Sequence, residues 1–185
     1  MAEKKETVSL AEASRQVAVT SERLALLHLS FARTIVNELG DEQGKALVLK
    51  AIRDYGRRIG ELARKKVISQ GLDPTPENYG KASDLPEYGM HEGKEKVEID
   101  GEKRTRAYGC VMGKLWVDQN EAELGRLYCY VDPAKYMAYN PDFKLMHIKA
   151  LTDGDDYCEF CVRKTTEQEK RDFSDDEADW SYIDK

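Results

Sequence analysis

The sequence predicts an α+β fold in which an N-terminal antiparallel helix pair packs on an antiparallel sheet built from hairpins, with short helices between them. Three observations carry that expectation. Two long stretches joined at Gly40-Asp41 repeat apolar residues every three or four positions. Asp100-Gly101 and Thr152-Asp153-Gly154-Asp155 each separate segments of strand character. Asn120 and Asp132-Pro133 stand where short helices would begin.

In the first long stretch, Leu24, Leu27, Phe31, Ile35 and Leu39 form the apolar stripe of a helix over Ser21–Leu39, and Gly40 ends it. Leu10–Val19 contains no breaker, so the start can extend back to Ser9. The second helix spans Glu42–Gln70, with Asp41 as its N-cap, Leu47, Leu49, Ile52, Ile59, Leu62 and Val67 as apolar positions, and Gly71 as its stop. Two glycines inside it, Gly56 and Gly60, cost about 1 kcal/mol each relative to alanine. Either another backbone approaches closely there, or the glycines clear space for a ligand beside Arg53, Arg57 or Arg58.

The stretch 72–93 is rich in Pro, Gly, Asn and Asp and reads as a long loop, a candidate lid. Lys96–Arg104 then turns at Asp100-Gly101 as a two-residue hairpin whose second strand runs into Cys110. A helix capped by Asn120 carries Leu124, Leu127, Tyr128 and Val131 to Asp132, read as the N-cap of a following helix with Pro133 at its first position. Phe143–Leu151 and Asp156–Val162 read as the strands of a second hairpin.

The 185 residues are 41% hydrophobic and 35% charged, which suits one domain over 1–164 (helical part 9–71, loop 72–93, α+β part 94–164) and an acidic tail over 165–185. Thr166–Lys185 holds eight acids against three bases, so five of the six net negative charges lie there. The nearly neutral body argues against nucleic-acid binding, which needs clustered Lys and Arg. The tail is either mobile or docked through Phe173, Trp180, Tyr182 and Ile183, on the body or on a partner protein. The start, Met1-Ala-Glu-Lys-Lys-Glu, lacks a secretory profile, and no apolar run approaches the roughly 20 residues of a membrane helix. A cytoplasmic location with reduced thiols is therefore expected. A homo-oligomer stays open.

All four cysteines lie between Cys110 and Cys161. On a strand, Cys158 and Cys161 point to opposite faces, so this C-x-x-C pair is not a chelate. Cys110, Cys129 and Cys158 can converge. They are then either small buried hydrophobes or, with His147, ligands for a divalent metal. His28 suits packing, while His91 sits in the lid and is more open to function. Asp132 and Asp155 serve as cap and turn residues, or in general acid–base work if buried near a substrate.

Glu123-Leu-Gly-Arg-Leu-Tyr-Cys129-Tyr-Val-Asp132-Pro, Ala138-Tyr-Asn140-Pro141 and Leu151-Thr-Asp-Gly154-Asp155-Asp156-Tyr-Cys158-Glu-Phe160 form a compound signature. It resembles the L-2-amino-thiazoline-4-carboxylic acid hydrolase family, as do Cys110 and Tyr55-Gly56-Arg57-Arg58-Ile59-Gly60. Val111 stands where that family commonly has Pro, and Cys161 and the tail fall outside the likeness. The resemblance implies ring-opening hydrolysis of a small cyclic amidine or isothiourea carboxylate. In that cast Cys129, Cys110 or Cys158 acts as nucleophile or metal ligand and Asp132 orients the amidinium or moves a proton. Arg57 or Arg126 holds the carboxylate, with Tyr128 and Asn140 as further substrate contacts. The family is distantly similar to 4-vinyl reductase-type domains, which implies helices covering an antiparallel sheet, a cavity between them, and the alternative of a non-catalytic small-molecule- or metal-binding module.

Overall fold

A computed structural model describes residues 7–82 and 84–184. The lead-in 1–6, read above as lacking a secretory profile, lies outside the described residues. Helix α1 (Leu10–Leu39) starts where Ser9 accepts a hydrogen bond from the Glu12 amide, and it stops at Gly40, whose φ of 82° is the left-handed conformation glycine adopts without strain. Helix α2 (Asp41–Ser69) follows at once. Gly40 occupies its N-cap position, so Asp41 is a first-turn residue and not the cap expected for it. Its carboxylate still complements the helix dipole and pairs with Lys45.

The helices form as expected, but only part of the apolar stripe of α1 meets the core, through Leu24 and Ile35. The buried face is Ser21, Ala25, His28, Leu29 and Ala32, whereas Leu27 and Phe31 are 53% and 64% exposed. Helix α2 likewise buries Val48, Ile52, Arg53, Gly56, Gly60, Ala63 and Val67 while Leu47 and Leu62 face water. Small residues win the inward face because neighbouring backbones come close. A Cβ built on Gly56 would lie 2.5 Å from the Ala134 Cβ, and one on Gly60 would enter the space of the Lys135 carbonyl oxygen. Close approach is thus what those glycines serve.

Among its described residues, the loop 72–93 holds a 3₁₀ turn, Pro76–Ala82. Strands β1 (Gly93–Ile99) and β2 (Glu102–Tyr108) join through Asp100 and Gly101, both at positive φ, as a primed two-residue turn requires. Helix α3 (Val111–Asp118) is an element the sequence leaves unassigned. Val111, Gly113 and Val117 are weak helix formers, and its cap is unusual: Cys110 Sγ accepts the Gly113 amide at 3.4 Å. Cys110 is therefore a helix cap and not a strand end.

Helix α4 (Ala122–Cys129) runs almost directly into α5 (Val131–Tyr139) through Tyr130. Asp132 lies inside the first turn of α5, so its expected N-cap role is not the one it plays. Strands β3 (Phe143–Lys149) and β4 (Cys158–Lys164) complete an antiparallel sheet in the order β1-β2-β4-β3. The pairing of Ala107 with Cys158 and of Thr105 with Phe160 joins the two hairpins and sets one face toward the helices. On the other face Arg104 and Arg106 enclose the buried Glu159, at 2.7 and 2.8 Å.

Helix α6 (Glu167–Ser174) opens with a capping box between Thr166 and Glu169, and a 3₁₀ turn covers Ser181–Asp184. Of the two alternatives for this segment, docking is observed. Phe173, Trp180 and Ile183 are buried against Ala32, Val48, Ile52, Ala134 and Met137, so Trp180 packs inside its own chain. Arg53, also buried, donates to the carbonyls of Asp175 and Asp176. Trp180→Ala is expected to cost about 3–5 kcal/mol, as large-to-small core changes do, and urea unfolding would read it directly. Among the described residues no helix is long and apolar enough to cross a membrane.

Candidate active site

The inner sheet face, helices α3–α5 and the lid segment enclose a cleft of about 1380 Å³. Cys110, Cys129, Cys158, Asp132, Tyr128 and His147 all line it, although they come from five different elements or their caps. Its floor is the first turn of α5, held by the Gly56 and Gly60 contact with α2.

One turn apart on α5, Asp132 and Lys135 form a 2.9 Å ion pair. Lys135 Nζ also lies 3.0 Å from Asp84 of the lid, whose carboxylate accepts the Tyr79 hydroxyl. Tyr79 in turn stacks on Tyr136 at 4.2 Å between ring centres. The lid is thereby tied to the cleft floor by a charge and by an aromatic face. Burial alone would raise the Asp132 carboxyl, but the charge of Lys135, with His147 and His91, outweighs it and holds the group below its ordinary value. Burial would lower Lys135; Asp132, Tyr79 and Asp84 together raise it instead. Both members are ionised at neutral pH.

His147 on β3 is held from behind. Its Nδ1 lies 3.0 Å from Asp184, which also accepts the His147 amide at 2.9 Å, while Nε2 faces Asp132 at 3.6 Å. Asp184 is itself paired to Arg126 at 2.8 Å. Arg126 thus supports His147 through Asp184, and it does not line the cleft. Arg57 is likewise engaged elsewhere, with Asp176 at 2.9 Å and over the Phe173 ring. Asn140 donates to the Pro74 carbonyl and accepts the Asp142 amide, which fixes the lid's start and the α5–β3 turn. Of the expected substrate contacts, only Tyr128 lines the cleft, packed edge-on against His28 and at an angle to Trp116.

Burial raises all three cleft thiols, Cys129 well above its ordinary value and Cys158 to about 11. The thiols therefore stand protonated at neutral pH: burial outweighs the helix N-terminus at Cys110 and the charge of Arg126 near Cys129 and Cys158. Native protein at pH 7.5 should react with iodoacetamide at least about tenfold more slowly than the same chain in guanidinium, as mass spectrometry would show. Cys161 borders the cleft too, but its charged neighbours are Arg163, Glu102 and Arg104 of the outer face.

His91, on the lid, lines the cleft with a buried Nδ1 that has no hydrogen-bond partner. Burial, reinforced by Lys94, pushes its pKa down to about 4, so the ring is neutral at physiological pH. Among the described residues no group of three or more His, Cys, Asp or Glu side chains is placed to hold a metal ion. Cys110, Cys129, Cys158 and His147 share the cleft without converging on one ion.

Sequence reasoning missed Lys135, Asp84, Tyr79 and Asp184. The Asp132-x-x-Lys135 spacing was the one local signal, since it is the helical ion-pair distance. The other three reach the site only through tertiary contacts.

A family model described as L-2-amino-thiazoline-4-carboxylic acid hydrolase matches residues 20–162. No curated protein matches the chain. A crystal structure of a trafficking protein particle complex subunit 3 from Naegleria fowleri, covalently bound to palmitic acid, is similar in fold. Its TM-score is 0.51 at 16% identity, over 80% of this chain and 96% of that one.

Proposed function

Since this chain belongs to the L-2-amino-thiazoline-4-carboxylic acid hydrolase family, we propose that its cleft opens the ring of a small cyclic amidine or isothiourea bearing a carboxylate. Membership is consistent with a hydrolase acting on a cyclic amidine. The observation that carries the reading is the pairing, in one cleft, of an ionised carboxylate, Asp132, with a neutral histidine, His91.

Asp132 attracts the amidinium in a charge-assisted contact, and Lys94 at the cleft edge takes the substrate carboxylate that Arg57 and Arg126 are too engaged to hold. Water adds to the carbon between sulfur and nitrogen, and His91 accepts the proton the water loses. The tetrahedral intermediate then breaks its bond to the ring nitrogen, and that nitrogen takes up the proton as it leaves. Water is favoured over a cysteine as nucleophile because the thiols are protonated. Cys110, Cys129 and Cys158 then shape the wall around the ring.

The test is turnover of 2-aminothiazoline-4-carboxylate and related cyclic amidines by the full chain, followed by mass spectrometry in ¹⁸O-labelled water. One labelled oxygen in the opened product is expected, with His91→Ala slowed by about 10²-fold or more. Well-folded protein that turns over none of these compounds would refute the reading.

A second reading is favoured by size. About 1380 Å³ exceeds the roughly 300–1,000 Å³ of common small-molecule sites. The structurally similar trafficking subunit carries covalent palmitic acid. A cleft with three thiols can take an acyl group from an acyl thioester, the donor's thiol leaving, slowly because the thiols are protonated, and hold it without turnover. A hydroxylamine-labile mass increase on natively purified protein would support it, and unmodified protein that turns over amidines would dismiss it.

A further inference from the structure

We propose that the outward face of the α1–α2 pair binds a second copy of this chain in a two-fold contact, with Phe31 of each copy seated in the other's interhelical groove. The proposal is independent of the cleft chemistry. Between the two helices runs an apolar groove of about 350 Å³, lined by Leu24, Leu27 and Ile35 of α1 and by Ala51 and Tyr55 of α2, with Tyr128 also contributing. Phe31 forms part of its wall and is 64% exposed, so its ring stands at the groove's rim. A protruding aromatic and an apolar depression on one face are what an isologous interface requires, because each copy must supply both halves of the contact.

Area supports the same occupant. Leu27, Phe31, Leu39, Leu47 and Tyr55 are 53%, 64%, 46%, 44% and 39% exposed. At about 200 Å² for each fully exposed side chain, these five leave on the order of 500 Å² of apolar surface in water. A standard interface takes roughly 800 Å² from each partner, and homodimer interfaces are roughly 65% apolar, which is close to 500 Å². The apolar area present is thus what one half of a homodimer contact contains. Ion pairs on α2, Lys50 with Glu177 and Arg58 with Asp54, supply the polar character of an interface rim. Two antiparallel helices meeting their symmetry mates would form a four-helix layer, the packing such stripes commonly adopt. Tyr55 lines both this groove and the cleft, so the contact would lie against the site wall.

The experiment is sedimentation equilibrium and light scattering on the full chain at concentrations up to about 100 μM, since assembly follows mass action. Wild type is expected near twice 21.1 kDa. Phe31→Glu and Leu27→Glu should be monomeric with unchanged far-UV circular dichroism, while Leu62→Glu, exposed but outside the groove, stays dimeric. Monomeric wild type at the highest concentration would overturn the proposal. So would a dimer that survives both groove substitutions, or a monomer retaining an apolar ligand in native mass spectrometry that Phe31→Glu releases. Because the readout is mass, failure here leaves the hydrolase reading standing, and absence of turnover leaves this one standing.

Discussion

Replacing Asp132 with asparagine is expected to lower ring-opening turnover by about 10²–10³-fold, the usual cost of losing one charge aimed at a developing ionic centre. The same change strips Lys135 of its closest carboxylate partner inside the cleft. Breaking a buried pair from one side typically costs about 3–5 kcal/mol, but Asp84 remains at 3.0 Å, so about 2–3 kcal/mol is expected. The two effects separate in Asp84→Asn, which leaves the Asp132–Lys135 pair in place and should cost stability with a smaller loss of turnover. The pH dependence has a definite sign. Asp132 is held below its ordinary value, so its contribution to stability is present above the unfolded carboxyl value of about 3.9 and is lost as pH falls through the folded value. Lys135 is raised, so its contribution is complete below about 10.4 and is lost as pH rises through the folded value. Asp132→Asn should therefore flatten the acid limb of a melting-temperature profile, and an unaltered acid limb would contradict the assignment.

Gly60→Ala should be among the costliest single-carbon additions to the protein. Alanine would favour the helix by about 1 kcal/mol over glycine. Here its Cβ would meet the Lys135 carbonyl oxygen, the Tyr139 amide at 2.9 Å and the Ala138 Cβ at 2.8 Å. Two of those are backbone atoms of α5, which cannot turn aside as a side chain can, so the helices must separate. Overpacking commonly costs about 1–3 kcal/mol, and a net loss near the upper end is expected. Turnover should fall as well, because α5 carries both Asp132 and Lys135. Gly80 provides the contrast: nothing lies within 4 Å of its added Cβ, so Gly80→Ala should be neutral in the same urea titration.

Elements governed by local chemistry were legible in advance. Asp100-Gly101 demands a primed turn, and the stop at Gly40 follows from sterics within a few residues, whereas Ser9 marked only how far back the first helix could reach. The inward side of α1 was not legible, because periodicity marks an apolar stripe without saying what covers it. Ala25, Leu29 and Ala32 are buried by other elements, while Leu27 and Phe31 stay more than half exposed. Helix α3 escaped because its stability comes from burying Met112 and Trp116 and not from propensity. In the site, Cys110, Cys129, Cys158 and Asp132 line one cleft, a convergence the sequence left open beside the alternative of small buried hydrophobes. Arg57 and Arg126 were sound choices chemically, yet their partners, Asp176 and Asp184, lie more than 50 residues away in sequence and no local pattern announces them.

The attachment of the lid through Asp84 has a thermodynamic corollary. With the segment shut, two carboxylates surround one ammonium, and the cleft floor carries an excess negative charge. Were the segment to swing out, Asp132 and Lys135 would neutralise each other. A cationic ligand would then bind the shut form more tightly than the open one, and by linkage its arrival would shift the population toward closure. Ring opening moves that positive charge from the amidine carbon to the freed amine, which is still protonated at neutral pH, so the shut form would relax only when the amine moves away from Asp132.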